Sequence, residues 1–230
     1  MVLTTRLIAH QEQEHAQSRL FSKDEHVYAQ LARFPGSHYM RSKHAILPFI
    51  HDVLNNLDFH TVLDACSGSG AVSYLLKSMG KSVTSNDMLS FCYHTARACV
   101  ANNVEYLAVQ EVEQLLLPHA LKENFIEKTF QGLYFSDDEN KWLDNLVANI
   151  HAMTSPYKQS IAFASVVRAC LRRRPRGTFT YTGLRYDDGR RDLQISLEQH
   201  FLNAVALFNA ATFDNGQSHA AWNCDIFSLP

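Results

Sequence analysis

An α/β chain organised on a parallel sheet is what this sequence predicts, and three features predict it. Residues Thr61 to Asp87 read as strand, glycine turn, helix, strand. Acidic residues, Asp64 and Asp87, stand at the carboxyl ends of both strands. A long stretch of helical periodicity over 104–215 then separates this unit from Ala220 to Cys224, a short run that reads as a third strand.

The opening residues, 1–33, are polar with helical periodicity. His10 and His15 are five positions apart, one more than the spacing that puts two metal ligands on one helix face, so they read as a solvated face. Phe34-Pro35-Gly36-Ser37 ends that segment. An amphipathic helix follows, with Ser42 as candidate N-cap and Ile46, Leu47, Ile50 and Leu54 as its inward face. Thr61-Val62-Leu63 carries two β-branched residues and predicts a buried strand. Gly68 and Gly70 give a tight turn that a bound molecule can approach, because neither has a Cβ. Ala71 to Met79 is a helix with Val72, Leu75, Leu76 and Met79 at helical spacing, and Gly80 suits the position past its end. Lys81 to Ser85 is the second strand, with Asn86-Asp87 at its carboxyl end.

This pattern is half of a nucleotide-binding βαβ unit. Asp87 lies nineteen residues after Gly68, where a carboxylate takes two ribose hydroxyls. Ser73 occupies the place of the third glycine of the dinucleotide pattern. Asp64, just before the turn, is an awkward neighbour for a pyrophosphate and suits a cation. S-adenosylmethionine carries a sulfonium and an ammonium and no phosphate, so acid–Gly–x–Gly–acid points to it as cofactor. The same residues also admit a plainer reading, a turn that Asp64 caps and the glycines only shape.

The segment 104–215 predicts a compact helical region. Ser136-Asp137-Asp138-Glu139 is a capping box opening a helix with Trp142, Leu143, Leu146, Val147 and Ile150 on one face. Ser155-Pro156 starts another, whose run from Ile161 to Val167 is apolar nearly all round and predicts a central, buried helix. Ser196 starts a third, burying Phe201, Leu202 and Val205. Arg168, Arg172, Arg173, Arg174, Arg176, Arg185, Arg190 and Arg191 stand against only Asp187 and Asp188, a local excess of +6 in a chain of net charge −2. Phe179, Tyr181 and Tyr186 interleave with them. Arginines clamp phosphates and read guanine edges, so this cluster is the candidate DNA contact. A solvated helix end with a favourable dipole accounts for three or four of the eight.

With 230 residues, 46% hydrophobic and 19% charged, the composition is that of a globular protein. Net charge near zero requires any nucleic-acid partner to be met by a local patch. The five cysteines form no C-x-x-C pair and read as reduced, buried thiols of a cytoplasmic protein. No apolar run is long enough to span a membrane, and no signal-peptide core is present.

Residues 34–103 resemble the opening of the D12 class of adenine-specific DNA methyltransferases. That family has Tyr-x-Gly-Ser-Lys leading into a Leu-Leu-Pro-Phe-Ile helix, then Asp-Leu-Phe-x-Gly-x-Gly, then Asn-Asp, then a Tyr-rich helix. Here stand Tyr39-Met40-Arg41-Ser42-Lys43, Leu47-Pro48-Phe49-Ile50, Asp64-Ala65-Cys66-Ser67-Gly68-Ser69-Gly70, Asn86-Asp87 and Phe91-Cys92-Tyr93, in the same order. Arg41 departs from the family glycine, and Ala65-Cys66 replaces Leu-Phe. Tyr157-Lys158-Gln159 to Arg174-Pro175 and Phe213-Asp214-Asn215-Gly216 extend the likeness over most of the chain. The resemblance implies a Rossmann-like, S-adenosylmethionine-dependent methyltransferase core with a helical target-recognition insert. It divides the chain at 1–103, 104–215 and 216–230. It implies a cofactor held by Tyr39, Ser42, Lys43, Asp64, Ser67, Gly68, Gly70, Asn86 and Asp87. At the end of the third strand, Asp225 would take the adenine amine, with Ile226 and Phe227 flanking the ring.

Enzymes of this class orient the target amine with an Asp/Asn/Ser-Pro-Pro-Tyr/Phe segment and stack its aromatic on the flipped base. The six prolines, Pro35, Pro48, Pro118, Pro156, Pro175 and Pro230, include no adjacent pair. The expectation is therefore an incomplete core, truncated before its catalytic strand, whose open sheet edge and apolar helix face lead to aggregation or to pairing with a second chain. The function implied is methyl transfer from S-adenosylmethionine to N6 of adenine in double-stranded DNA, in a restriction–modification setting. The alternatives are a catalytically inactive DNA- or partner-binding module and a methyltransferase for RNA or for a small molecule, the last of which the arginine cluster speaks against.

Overall fold

A computed structural model of the chain describes residues 25–36, 43–120, 123–173 and 189–229. Helix α1 covers 25–31, and a 3-10 turn, Lys43–Ile46, leads into α2, Leu47–Asn55. Then come β1 (Thr61–Asp64), α3 (Ala71–Ser78), β2 (Ser82–Asn86) and α4 (Ser90–Ala96). Helix α4 widens into one π turn, Arg97–Ala101. Next are α5 (Val109–Leu116), α6 (Phe125–Thr129), α7 (Asp137–His151), α8 (Pro156–Arg173), α9 (Leu197–Ala211) and β3 (Ala220–Trp222). Short 3-10 turns precede α9 (Arg191–Gln194) and close the described chain (Ile226–Ser228).

The three strands form one parallel sheet in the order β1-β2-β3. Val62 pairs with Val83 and Thr84 with Ala220, so β2 is central. The sequence predicts a buried first strand, but β1 lies at the edge and leaves Leu63 47% exposed. Among the described residues no strand pairs with its far side. The helix over 43–54 is also corrected in part. Leu47, Ile50 and Leu54 turn inward as expected, whereas Ile46, in the preceding 3-10 turn, is exposed and His51 is buried in its stead.

Helix α3 packs on β1 and β2, and its buried Tyr74 donates to the Ala211 carbonyl at 2.7 Å, tying it to the end of α9. Lys77, fully buried on α3, donates to the Asn102 carbonyl at 2.8 Å and the Cys99 carbonyl at 3.5 Å. These carbonyls lie at the end of the π turn, where the widened backbone leaves acceptors without helical partners. Burial lowers the Lys77 pKa to about 8.

The cap signals of the helical region are realised. The Ser136 hydroxyl accepts from Glu139 N–H at 3.2 Å, and Glu139 accepts from Ser136 N–H at 3.0 Å. Ser155 accepts from Lys158 N–H at 3.3 Å and Ser196 from Gln199 N–H at 3.1 Å. Asp144 of α7 reaches outside its helix, accepting from Ile126 and Glu127 N–H at 2.9 Å each and so capping α6. Helix α8 is central, packed on α9, α4 and the π turn, with Ile161, Ala162 and Ala169 inside. One hydrophobic core therefore runs from α3 and β2 through the π turn into α7, α8 and α9.

Candidate cofactor-binding site

The carboxyl ends of β1, β2 and β3 gather the candidate residues. Gly68 and Gly70 both have left-handed backbone, φ 53° and 77°, a conformation in which a Cβ is strained. The loop they shape is held from below. Ser67 N–H donates to the Asn86 carbonyl at 2.9 Å, and Gly68 N–H donates to Asp87 Oδ2 at 2.8 Å. The nineteen-residue spacing thus places the Asp87 carboxylate directly against the first glycine. Asp87 Oδ1 accepts from Leu89 N–H at 2.9 Å, and a carboxylate keeps further lone pairs after these two bonds.

Asp64 is organised from the opposite side. Ser73 Oγ donates to Asp64 Oδ2 at 2.6 Å and meets Ser85 Oγ at 2.6 Å. The residue that the sequence marks only as a missing glycine is therefore a buried hydroxyl linking β1's terminal carboxylate to β2. Burial raises the Asp64 pKa, against the lowering effects of the Ser73 hydrogen bond and of the nearby Lys43 charge; Asp87 adds to the rise. Lys43, Asp64 and Asp87 thus share one electrostatic neighbourhood. Ser67, buried, has a hydroxyl with no protein hydrogen-bond partner.

The Asn86 side chain is engaged with main chain on two sides. It is buried, its Nδ2 donates to the Ala65 carbonyl at 3.0 Å and the Cys224 carbonyl at 3.1 Å, and its Oδ1 accepts from Cys224 N–H at 3.1 Å. With both amide hydrogens spent on main chain, Asn86 clamps the glycine loop to the tail of β3 and positions the site from beneath. Asn223 assists, donating to the Asp87 and Met88 carbonyls at 2.8 and 3.0 Å. Cys66 and Cys224 flank this clamp and are exposed, correcting the expectation that all five thiols are buried; each lies in a loop beyond a strand end, while Cys92, Cys99 and Cys170 are inside.

Asp225 follows β3 by three residues, at the same end of the sheet, and its Oδ1 accepts from Phe227 N–H at 3.0 Å. Ile226 is exposed and Phe227 is 95% exposed, an aromatic ring set out beside the site with almost no packing. Tyr39 and Ser42 lie outside the described residues.

The arginine cluster is only partly described, since Arg174, Arg176 and Arg185 lie outside the described residues. The three on α8 are engaged within the chain. Arg172 pairs with Asp192 at 2.9 Å, Arg173 pairs with Glu139 at 2.7 Å and also donates to the Leu193 carbonyl, and Arg168 donates to the Gly36 carbonyl. Asp192 lies just past the cluster and Glu139 well before it, so counting only the acids within 168–191 overstates the free charge. Arg168 further lines a small cavity of about 30 Å³ shared with Gly68, Ser69, Phe91 and Thr95, which brings α8 against the glycine loop. Among the described residues no group of three or more His, Cys, Asp or Glu could hold a metal ion.

The geometry is thus a glycine loop at the carboxyl edge of a small parallel sheet with helices packed on it, between two strand-end carboxylates. The model of the D12 class N6 adenine-specific DNA methyltransferases matches residues 39–223, and this chain belongs to that family. It is 31% identical over 210 residues to the Type II methyltransferase M2.HphI of Haemophilus parahaemolyticus, a match covering 86% of this chain and 62% of that relative. The chain thus spans less than two thirds of that curated relative's length. No solved structure matches significantly. Among the described residues no helix is long and apolar enough to cross a membrane.

Proposed function

We propose that these residues are the cofactor-binding and target-recognition part of a site-specific DNA methyltransferase. The reaction is transfer of a methyl group from S-adenosylmethionine to N6 of adenine in double-stranded DNA, within a restriction–modification system. The observation that carries the cofactor assignment is the buried, partnerless Ser67 hydroxyl in the glycine loop that follows Asp64 and whose Gly68 N–H meets Asp87. A phosphate there would add a third negative charge, whereas a cationic, N–H- and O–H-bearing ligand completes all three groups. The residues fit S-adenosylmethionine on that ground. Asp64 and Ser67 would hold its charged end and Asp87 its ribose hydroxyls, with Gly68 and Gly70 giving close approach. Asp225, Ile226 and Phe227 would take the adenine, and Tyr39, Ser42 and Lys43 would border the methionine. When bound, the cofactor supplies an activated methyl group on sulfur.

Residues 1–103 and 216–230 would form the Rossmann-like core and 104–215 the recognition region. The 230 residues contain no Pro-Pro-Tyr/Phe segment, so the group that orients the target amine comes from sequence outside them. Titration calorimetry with S-adenosylmethionine tests the reading. Binding that falls at least tenfold in Asp87→Ala supports it; no binding, or binding indifferent to Asp87→Ala and Gly70→Val, overturns it. The missing segment also favours a second reading, a DNA-holding module without catalysis. It predicts salt-dependent DNA affinity with no cofactor binding.

A further inference from the structure

On the cofactor assignment just proposed, we infer that the Ser73 hydroxyl, backed by that of Ser85, is a positioning group. It holds Asp64 as an ionised acceptor, turned to the cationic amino-acid end of S-adenosylmethionine.

The three side chains come from three elements. Asp64 ends β1, Ser85 is its register partner on β2, and Ser73 stands in the first turn of α3. Ser73 and Ser85 are fully buried, whereas Asp64 is half-buried. Ser73 Oγ lies 2.6 Å from Asp64 Oδ2 and 2.6 Å from Ser85 Oγ. A hydroxyl has one hydrogen to give. Ser73 donates its own to Asp64, so Ser85 donates in the second contact, and the chain runs from Ser85 through Ser73 to the carboxylate. Hydroxyls in line polarise one another at a buried site, so Ser85 strengthens the bond that Ser73 donates.

Other buried serines in these helices are satisfied locally. Ser78 and Ser165 donate to carbonyls four residues back in their own helices, those of Tyr74 and Ile161. Ser73 is turned instead to a strand-end carboxylate, and its main-chain N–H acts on the same group. Two donors from one residue therefore face Asp64, and both favour the carboxylate over the carboxylic acid. They work against burial, which is the largest influence on Asp64 and raises its pKa. Lys43, on the turn before α2, also favours the ionised form, and Asp87, just past β2, opposes it. With the carboxylate anchored from α3, its remaining lone pairs are left for the ammonium of the ligand.

The sign of the effect follows. Without the Ser73 hydroxyl a cause that lowers the Asp64 pKa is gone, and Asp64 takes up its proton at a higher pH. A neutral Asp64 offers an ammonium no charge, so cofactor affinity is lost earlier as pH falls.

The test compares the 230-residue chain with Ser73→Ala, Ser85→Ala and Asp64→Asn. Titration calorimetry with S-adenosylmethionine between pH 7 and 4 gives an affinity profile. Carboxyl NMR of Asp64 in the free chain follows its proton directly, and melting curves confine both measurements to folded protein. Ser73→Ala is expected to move both midpoints up by about one pH unit, so that its affinity deficit grows as pH falls. Ser85→Ala should move them the same way by less. Asp64→Asn should bind weakly without that pH dependence, and adding Ser73→Ala to it should change nothing further. Midpoints unmoved in Ser73→Ala, or a loss of affinity equal at every pH, overturn the inference and leave the cofactor reading standing. If Ser73→Ala does not fold, unmoved midpoints in Ser85→Ala overturn it. If the unaltered chain binds no S-adenosylmethionine although the Asp64 signal moves in Ser73→Ala, the cofactor reading fails and the role given to Ser73 falls with it.

Discussion

Replacing Asn86 by Ala removes three hydrogen bonds, two donated to the Ala65 and Cys224 carbonyls and one accepted from Cys224 N–H. The site is 1% exposed, so the stranded main-chain groups do not simply rehydrate. A net value of about 0.5–1.5 kcal/mol per bond puts the loss at about 2–4 kcal/mol for the three. For a domain of this size that corresponds to a fall in melting temperature of roughly 5–15 °C. Asn86→Asp keeps the acceptor for Cys224 N–H but faces two carbonyl oxygens with a carboxylate, so it is expected to cost at least as much. Urea unfolding gives the free energy, and hydrogen exchange at the Cys224 amide reports whether the β3 tail has detached. Affinity for S-adenosylmethionine, measured below the melting transition, should fall with the detachment because the glycine loop loses its support. A loss under about 0.5 kcal/mol with Cys224 still protected would refute the clamp.

Gly70→Ala introduces a Cβ with ordinary contacts, 3.8 Å to Thr95 and 3.9 Å to Phe34, so its cost comes from the left-handed backbone at φ 77°. That cost is about 1–2 kcal/mol, read as a shift in urea midpoint without a change in slope. Arg173→Ala breaks the Glu139 pair and the bond to the Leu193 carbonyl, so melting temperature should drop while the salt dependence of DNA affinity stays as it was. Burial is the main cause holding His94 and His219 at pKa values of about 4. The unfolded chain, at ordinary histidine values near 6.5, therefore takes up protons first, and stability is lost as pH falls from about 6.5 to 4. The raised Asp64 acts with the opposite sign at the acid end, since the folded state binds its proton more readily. Unfolding at fixed temperature across pH 7.5 to 4.5 checks the direction, and a flat profile there would count against both half-buried histidines.

The strand–turn–helix–strand order, the two glycines and the helix caps at Ser136, Ser155 and Ser196 were legible in the chain itself. Each depends on residues within a few positions of one another, where backbone conformation is set by side-chain type and hydrogen bonds close locally. The nineteen-residue spacing of Gly68 and Asp87 was legible for a related reason: one strand, one turn and one helix have nearly fixed lengths. The exposure of β1 was not, because an apolar run reads alike at a sheet's centre and at its edge, and only pairing distinguishes them. The role of Ser73 was hidden too, since its partners Asp64 and Ser85 meet it only when two strands and a helix pack. The ion pairs of Arg172 and Arg173 were hidden for the same reason, because Asp192 and Glu139 reach α8 from other elements. Asn86 marks the boundary between the two kinds of information. Its position at the end of β2 follows from local pattern, but its turn inward depends on a β3 tail that arrives 138 residues later. Short-range chemistry in the sequence determined which elements form and where the glycine loop would lie; long-range packing alone decided which polar groups hold that loop.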